Sequence, residues 1–97
     1  MFDIAVRLFP DDATANLNAA NAAINEGALQ RAASYLDKAG DSPAAVHTRG
    51  VLLLLQGKYE EAEAVLKEAR RLGVREAGDN LEQLRLKREN IRKLSAY

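Results

Sequence analysis

The sequence has neither cysteine nor tryptophan, and it contains only two prolines, three tyrosines and two phenylalanines. Without cysteine the chain can form no disulfide framework and no thiolate metal site, and cysteine usage gives no information about whether its compartment is oxidising or reducing. Aromatic and β-branched residues are few while alanine and leucine are abundant, which favours helices over strands. No segment shows the strict alternation of apolar and polar residues that is typical of a strand.

The chain also lacks a surplus of charge and a long apolar run. It carries 14 basic and 14 acidic side chains, for a formal net charge of zero, which removes the electrostatic argument for nucleic acid or an anionic membrane as the main partner. The longest apolar run, residues 51–55, is far below the roughly 20 residues that span a bilayer. Residues 1–4 do not resemble a signal peptide, and the length of 97 residues predicts one domain.

An internal repeat is the strongest positive signal. Gly27 and Gly57 lie 30 residues apart, and each is followed by an apolar residue two positions on and by an alanine five positions on. The same register continues to Leu36 and Leu66. A repeat at this spacing predicts stacked supersecondary units, each of which buries its apolar stripe against its neighbour.

Each unit is predicted to be a helical hairpin that turns at its glycine, where a left-handed conformation has no steric cost. Asp12 or Thr14 caps the first helix, and Ser42 followed by Pro43 begins the second unit. A third repeat-like unit is predicted to start near residue 77, and it leads into a charged terminal helix with a solvated outer face. The predicted helices cover residues 12 or 14 to 26, 29–39, 43–56, 59–71 and 75–95.

These residues resemble the tetratricopeptide (TPR) pattern, a 34-residue helix–turn–helix repeat. In the second unit, Gly50, Gly57, Ala62 and Leu66 fall at the small, turn, alanine and large apolar positions of the family. The matching residues of the first unit are Ala20, Gly27, Ala32 and Leu36, and Ala23 matches Leu53, which stands in place of the family's aromatic residue.

Two departures from the family stand beside this likeness. The family's tryptophan position is occupied by Asn16 and Val46, and the loop around Gly40 is four residues shorter than the family spacing. The resemblance implies an all-α, right-handed superhelix of TPR-like hairpins in one domain, residues 1–97. In it, residues 1–10 are the tail of a preceding repeat, 12–40 and 43–73 are two repeats, and 75–95 form a capping helix.

Catalytic and metal sites have little support in the sequence. His47 is the one histidine, and no carboxylate lies three or four residues from it, so a general base or metal site lacks its partners. The acidic residues at 11–12 and 60–63 lie at predicted helix starts, where they offset the helix dipole. Phosphate-binding glycine loops are absent. We therefore expect no enzyme activity, no cofactor and no bound metal.

The last predicted helix is rich in basic residues. RNA or an acidic partner is one interpretation, but aromatic residues for base stacking are missing until Tyr97. The capping interpretation is favoured, with Leu81, Leu84, Ile91 and Leu94 packing on the second unit. The basic residues are Arg85, Lys87, Arg88, Arg92 and Lys93.

A row of asparagines is the best candidate for a binding surface. Asn18, Asn21 and Asn25 share one helix face, although asparagine costs roughly 0.5 kcal/mol against alanine in a helix. A solvated face that happens to use asparagine is the alternative. The TPR resemblance implies that this face lines a concave groove. The matching face of the second unit carries Ala44, His47, Thr48, Val51, Leu54 and Leu55.

The resulting hypothesis is a protein or peptide-binding scaffold. Its predicted contact residues are Leu17, Asn18, Asn21, Ile24, Asn25, His47, Val51, Leu54 and Leu55. The alternative is a structural spacer or assembly domain of a larger envelope protein, with possible self-association. The stretch from Asn16 to Pro43 resembles helical-repeat tails of bacterial cell-envelope proteins, which favours a periplasmic or envelope location over a cytoplasmic one.

Overall fold

The computed structural model describes residues 12–96, and within this range the fold is all-α. The predicted stub at residues 1–10 lies outside the described residues. The described part contains five helices and no strand. The helices are α1 (Ala13–Asn25), α2 (Leu29–Leu36), α3 (Pro43–Leu55), α4 (Tyr59–Arg71) and α5 (Glu76–Ala96).

The helix bounds agree with the sequence prediction except at the end of α2. This helix was expected to reach Ala39 but ends at Leu36, and residues 37–39 form turns and a bend. Ala39 is nevertheless buried, because the bend still carries it into the core. The chain therefore leaves the helical conformation after Leu36, and Gly40, with φ of 76°, continues the turn toward α3.

Local capping explains where the helices begin and where the hairpins turn. The Asp12 carboxylate accepts a hydrogen bond from the Ala15 amide at 2.8 Å, and the Ser42 hydroxyl accepts one from the Ala45 amide at 3.2 Å. Gly27 and Gly57 both have φ of 79°, a conformation that residues with a Cβ rarely adopt. The two hairpin turns are thus closed in the same way, as the repeat predicted.

The helices pack as two consecutive pairs followed by α5. Helix α1 packs on α2, α3 packs on α4, and α5 packs on α4. One core cluster joins the first pair to α3, and a second joins α3, α4 and α5. The buried members of the first are Ala20, Ala23, Ala32, Leu36, Ala39, Ala45 and Leu52. Those of the second are Leu54, Ala62, Leu66, Ala69, Ala77 and Leu84.

Contacts between α4 and α5 fix the direction of the last helix. Gly78 lies beside Arg70, and Arg88 donates to Glu63 at 3.0 Å. Because later residues of α5 contact earlier residues of α4, the two helices are antiparallel. The Gly57 turn makes α3 antiparallel to α4 as well. Helices α3 and α5 are therefore parallel to each other, and both pack against α4.

The outer end of α5 differs from the sequence expectation. Leu81 and Leu84 pack in the second core cluster as predicted. Ile91 and Leu94, which were expected to pack there too, are 47% and 75% exposed. The reason is length: α5 has 21 residues and α4 has 13, so the last turns of α5 extend beyond the helix that supports them.

No helix within residues 12–96 combines the length and the apolar character needed to cross a bilayer. Helix α5 is long enough, but its sequence is dominated by charged and polar residues.

Gly50 lies where α3 packs directly on Leu66 of α4, and it gives the first testable prediction. A Cβ on this residue would lie 2.6 Å from Cδ2 and 2.8 Å from Cγ of Leu66, which is fully buried. We expect Gly50→Ala to lower the free energy of unfolding by about 1–2 kcal/mol, because overpacking outweighs the gain in helix propensity. Urea denaturation followed by circular dichroism measures the change.

Gly78→Ala is the matched control, since the nearest atom to its added Cβ is 3.9 Å away. This change should leave stability unaltered or raise it by about 0.5 kcal/mol. Equal effects at both glycines would contradict the close-packing explanation.

Candidate functional site

A groove of about 430 Å³ lies between α1 and α3. The C-terminal half of α1 forms one wall and the N-terminal two-thirds of α3 forms the other. Its lining residues are neutral amides, a hydroxyl, one imidazole and aliphatic side chains. They are Asn21, Ile24, Asn25, Ala44, His47, Thr48 and Val51.

Five residues of the predicted binding surface meet in this groove. From α1 these are Asn21, Ile24 and Asn25, and from α3 they are His47 and Val51. The residues come from segments about 25 positions apart, so their convergence depends on how the two helices pack. Ala44 and Thr48, which shared the predicted α3 face, complete the lining.

The other four predicted contact residues lie elsewhere. Leu17 packs against the first core cluster and borders a separate shallow depression near Gly40. Asn18 is half-buried and outside the lining. Leu54 is 5% exposed, because α4 and α5 cover it in the second core cluster, so a ligand cannot reach it. Leu55 is 47% exposed at the end of α3 and is not among the lining residues, although it lies one helical turn after Val51, which is.

A hydrogen bond across the groove joins its two walls. The Thr48 hydroxyl donates to Oδ1 of Asn21 at 3.1 Å, and Thr48 is buried while Asn21 remains exposed. Asparagine has low helix propensity, and this contact supplies a reason for its presence in the middle of α1. The bond uses only the carbonyl side of the amide, so the two Nδ2 hydrogens of Asn21 stay available to a ligand.

A second polar contact ties α3 to α5. Nδ2 of Asn80 lies 2.6 Å from Nε2 of His47. An amide nitrogen can only donate, so the Asn80 amide donates to Nε2 of His47 in the tautomer that leaves this nitrogen unprotonated. The sequence analysis assigned Asn80 no role at this site, because its contact with His47 depends on how α5 packs beside α3.

Asn25 is the freest polar group of the groove. Its side chain is exposed and makes no hydrogen bond with other described residues. With its amide it can both donate and accept. It therefore has the hydrogen-bonding groups to pair with the backbone of an extended chain, which presents the same amide functions.

Charged groups with shifted pKa values lie on the exposed faces and not in the groove. A hydrogen bond from Arg71 lowers the pKa of Glu68, and one from Arg85 lowers the pKa of Glu82. Across residues 12–96, no three histidine, aspartate or glutamate side chains converge in an arrangement that could hold a metal ion. The groove lining offers hydrogen bonding through its amides, hydroxyl and imidazole, and apolar contact through its aliphatic side chains.

Comparison of the chain with protein-family models, curated proteins and solved structures gave no match. The interpretation of the groove accordingly depends on its own residues.

The bond between Asn21 and Thr48 gives the second testable prediction. In a double-mutant cycle with Asn21→Ala and Thr48→Val, the coupling free energy should be about 0.5–1.5 kcal/mol, because either change alone leaves one group unpaired near the core. Thermal or urea unfolding of the four proteins measures it.

A cycle between Asn25→Ala and Thr48→Val is the control, and these changes should add independently. A coupling below about 0.3 kcal/mol for the Asn21 pair would mean that no significant bond joins the two walls.

Proposed function

We propose that this chain is a TPR-like module that binds an extended peptide or protein segment in the groove between α1 and α3. In this proposal the helix pairs form a right-handed superhelix, with α1, α3 and α5 as the first helices of successive units. The 30-residue register and the like turns at Gly27 and Gly57 support it. So do the lateral contacts of α1 with α3 and of α3 with α5.

The observation that carries the binding function is the convergence of exposed amides beside aliphatic surface. Asn21 and Asn25 offer hydrogen-bonding groups on one wall, while Ile24 and Val51 offer apolar contact. The groove volume of about 430 Å³ lies within the range of roughly 300–1,000 Å³ that is common for ligand sites. A neutral lining favours recognition of a peptide backbone over recognition of a charged terminus.

The lysine that TPR clamps use to hold a C-terminal carboxylate would fall at Leu17, and this residue packs against the core. The proposal is thus an internal or extended peptide segment and not a carboxylate-terminated one. Catalysis, a cofactor and a metal form no part of it.

A spacer or assembly role is the second candidate, and exposed apolar residues on α5 favour it. Leu86, Ile91 and Leu94 are 46%, 47% and 75% exposed. The envelope location suggested by the sequence remains a prediction.

The basic end of α5 is a weaker candidate for RNA binding than its composition suggested. Arg85 bonds to Glu82 and Glu89, and Arg88 bonds to Glu63. These contacts neutralise two of the five basic residues, which reduces the positive field that a nucleic acid would meet.

The third prediction tests peptide binding directly. A phage library of random 12-residue peptides, selected on the immobilised 97-residue chain, should yield enriched sequences whose synthetic forms bind in fluorescence polarisation. Asn25→Ala should weaken that binding about five- to thirtyfold, because it removes one or two hydrogen bonds of roughly 1 kcal/mol each.

Gln30→Ala is the matched control, because Gln30 is also an exposed helical amide but lies on α2, outside the groove. It should leave affinity unchanged. Failure to enrich any peptide, or equal effects of the two substitutions, would falsify the groove proposal.

The assembly alternative makes a fourth prediction, about mass in solution. Self-association through α5 predicts a sedimentation mass above that of one chain, which returns to the monomer value in Leu86→Asp/Leu94→Asp. The exposed leucines would lose their apolar contact while the core stays intact. A monomer at all tested concentrations counts against assembly.

A further inference from the structure

Helix α5 contacts α3 at a residue that lines the groove. Asn80 faces His47 at 2.6 Å, and His47 lines the groove. Residues three and seven positions further along a helix lie on the same face, so Gln83 and Lys87 follow Asn80 on that face. Both side chains are exposed. The lining residues of the groove all come from α1 and α3, and α5 lies beside α3 at the level of His47.

The level of Lys87 along the groove follows from the parallel arrangement of α3 and α5. Leu55 is eight residues after His47, and Lys87 is seven residues after Asn80. Since both helices rise about 1.5 Å per residue in the same direction, Lys87 lies level with Leu55. Leu55 is 47% exposed, so the helix register places an apolar side chain and a cation at about the same height on α3 and α5.

Lys87 is a charge that its surroundings leave unneutralised. It makes no ion pair with any described residue. The neighbouring arginines differ, because Arg85 contacts Glu89 at 2.7 Å and Arg88 contacts Glu63 at 3.0 Å. Glu76 lies on the same face of α5, eleven residues earlier, which is about 16 Å away along the helix.

We propose that α5 forms the third wall of the groove and that Lys87 selects an acidic residue in the bound peptide. The occupant is an extended peptide with an apolar residue over Val51 and Leu55 and an aspartate or glutamate over Lys87. Packed helices lie 8–10 Å apart and an extended chain advances about 3.3 Å per residue, so the two residues are about three positions apart. This inference rests on the proposed peptide-binding function.

The selection experiment with random 12-residue peptides tests the inference when it is repeated on Lys87→Glu. Wild-type protein should enrich peptides with an acidic residue about three positions from a large apolar one. Lys87→Glu should bind such a synthetic peptide about fivefold more weakly and should enrich lysine or arginine at that position instead. Added salt should reduce the wild-type preference.

Lys93→Glu is the control, because it changes the net charge equally but lies about a third of a turn away around α5. It should retain the acidic preference. Wild-type enrichment that Asn25→Ala abolishes, without any acidic preference, would overturn the role of Lys87 and leave the peptide-binding function standing.

Absence of any enriched peptide would overturn both proposals. Light scattering tests a further outcome. If the wild-type protein is a dimer and Lys87→Glu dissociates it, the acidic occupant is a second copy of this chain. That result would contradict the proposal that the groove binds a separate peptide.

Discussion

The close approach of α3 and α4 at Gly50 is the constraint on which the rest of the structure depends. Glycine at this point lets Leu66 pack directly against the α3 backbone, and Leu66 is fully buried at the centre of the second core cluster. That contact sets the separation of the hairpin helices. With α3 held against α4 in this way, Thr48 on α3 meets Asn21 of α1 and His47 meets Asn80 of α5, and the groove opens between α1 and α3.

Small residues extend the same principle through the molecule. Ala20, Ala32, Ala62 and Ala77 are all completely buried, so neighbouring helices approach closely and little apolar volume separates them. A thin core of this kind relies on many short contacts and not on a few large side chains. The polar bonds of Asn21 with Thr48 and of His47 with Asn80 then lie at the groove surface, where they orient the helices without requiring a buried charge.

Helix α5 has one face that packs on α4 and another that is charged and exposed. The face toward α4 carries Ala77, Leu81 and Leu84, and the ion pairs of Arg85 with Glu82 and Glu89 lie on exposed surface. A helix packed on that charged surface would have to bury ion pairs, at a considerable desolvation cost. The groove side remains open, and this is the side to which the peptide proposal assigns Lys87.

The sequence by itself determined the helices, because capping residues, turn glycines and the 30-residue register act locally and leave clear signals at Asp12, Ser42, Gly27 and Gly57. It also predicted that Asn21, Asn25 and His47 share a surface. Only the tertiary structure decided the rotation of each helix about its axis. That rotation buried Leu54 under α5 and turned Asn80 toward His47, and it depends on contacts between residues far apart in the chain. The tertiary structure also left Ile91 and Leu94 exposed, because the last turns of α5 extend beyond the shorter α4.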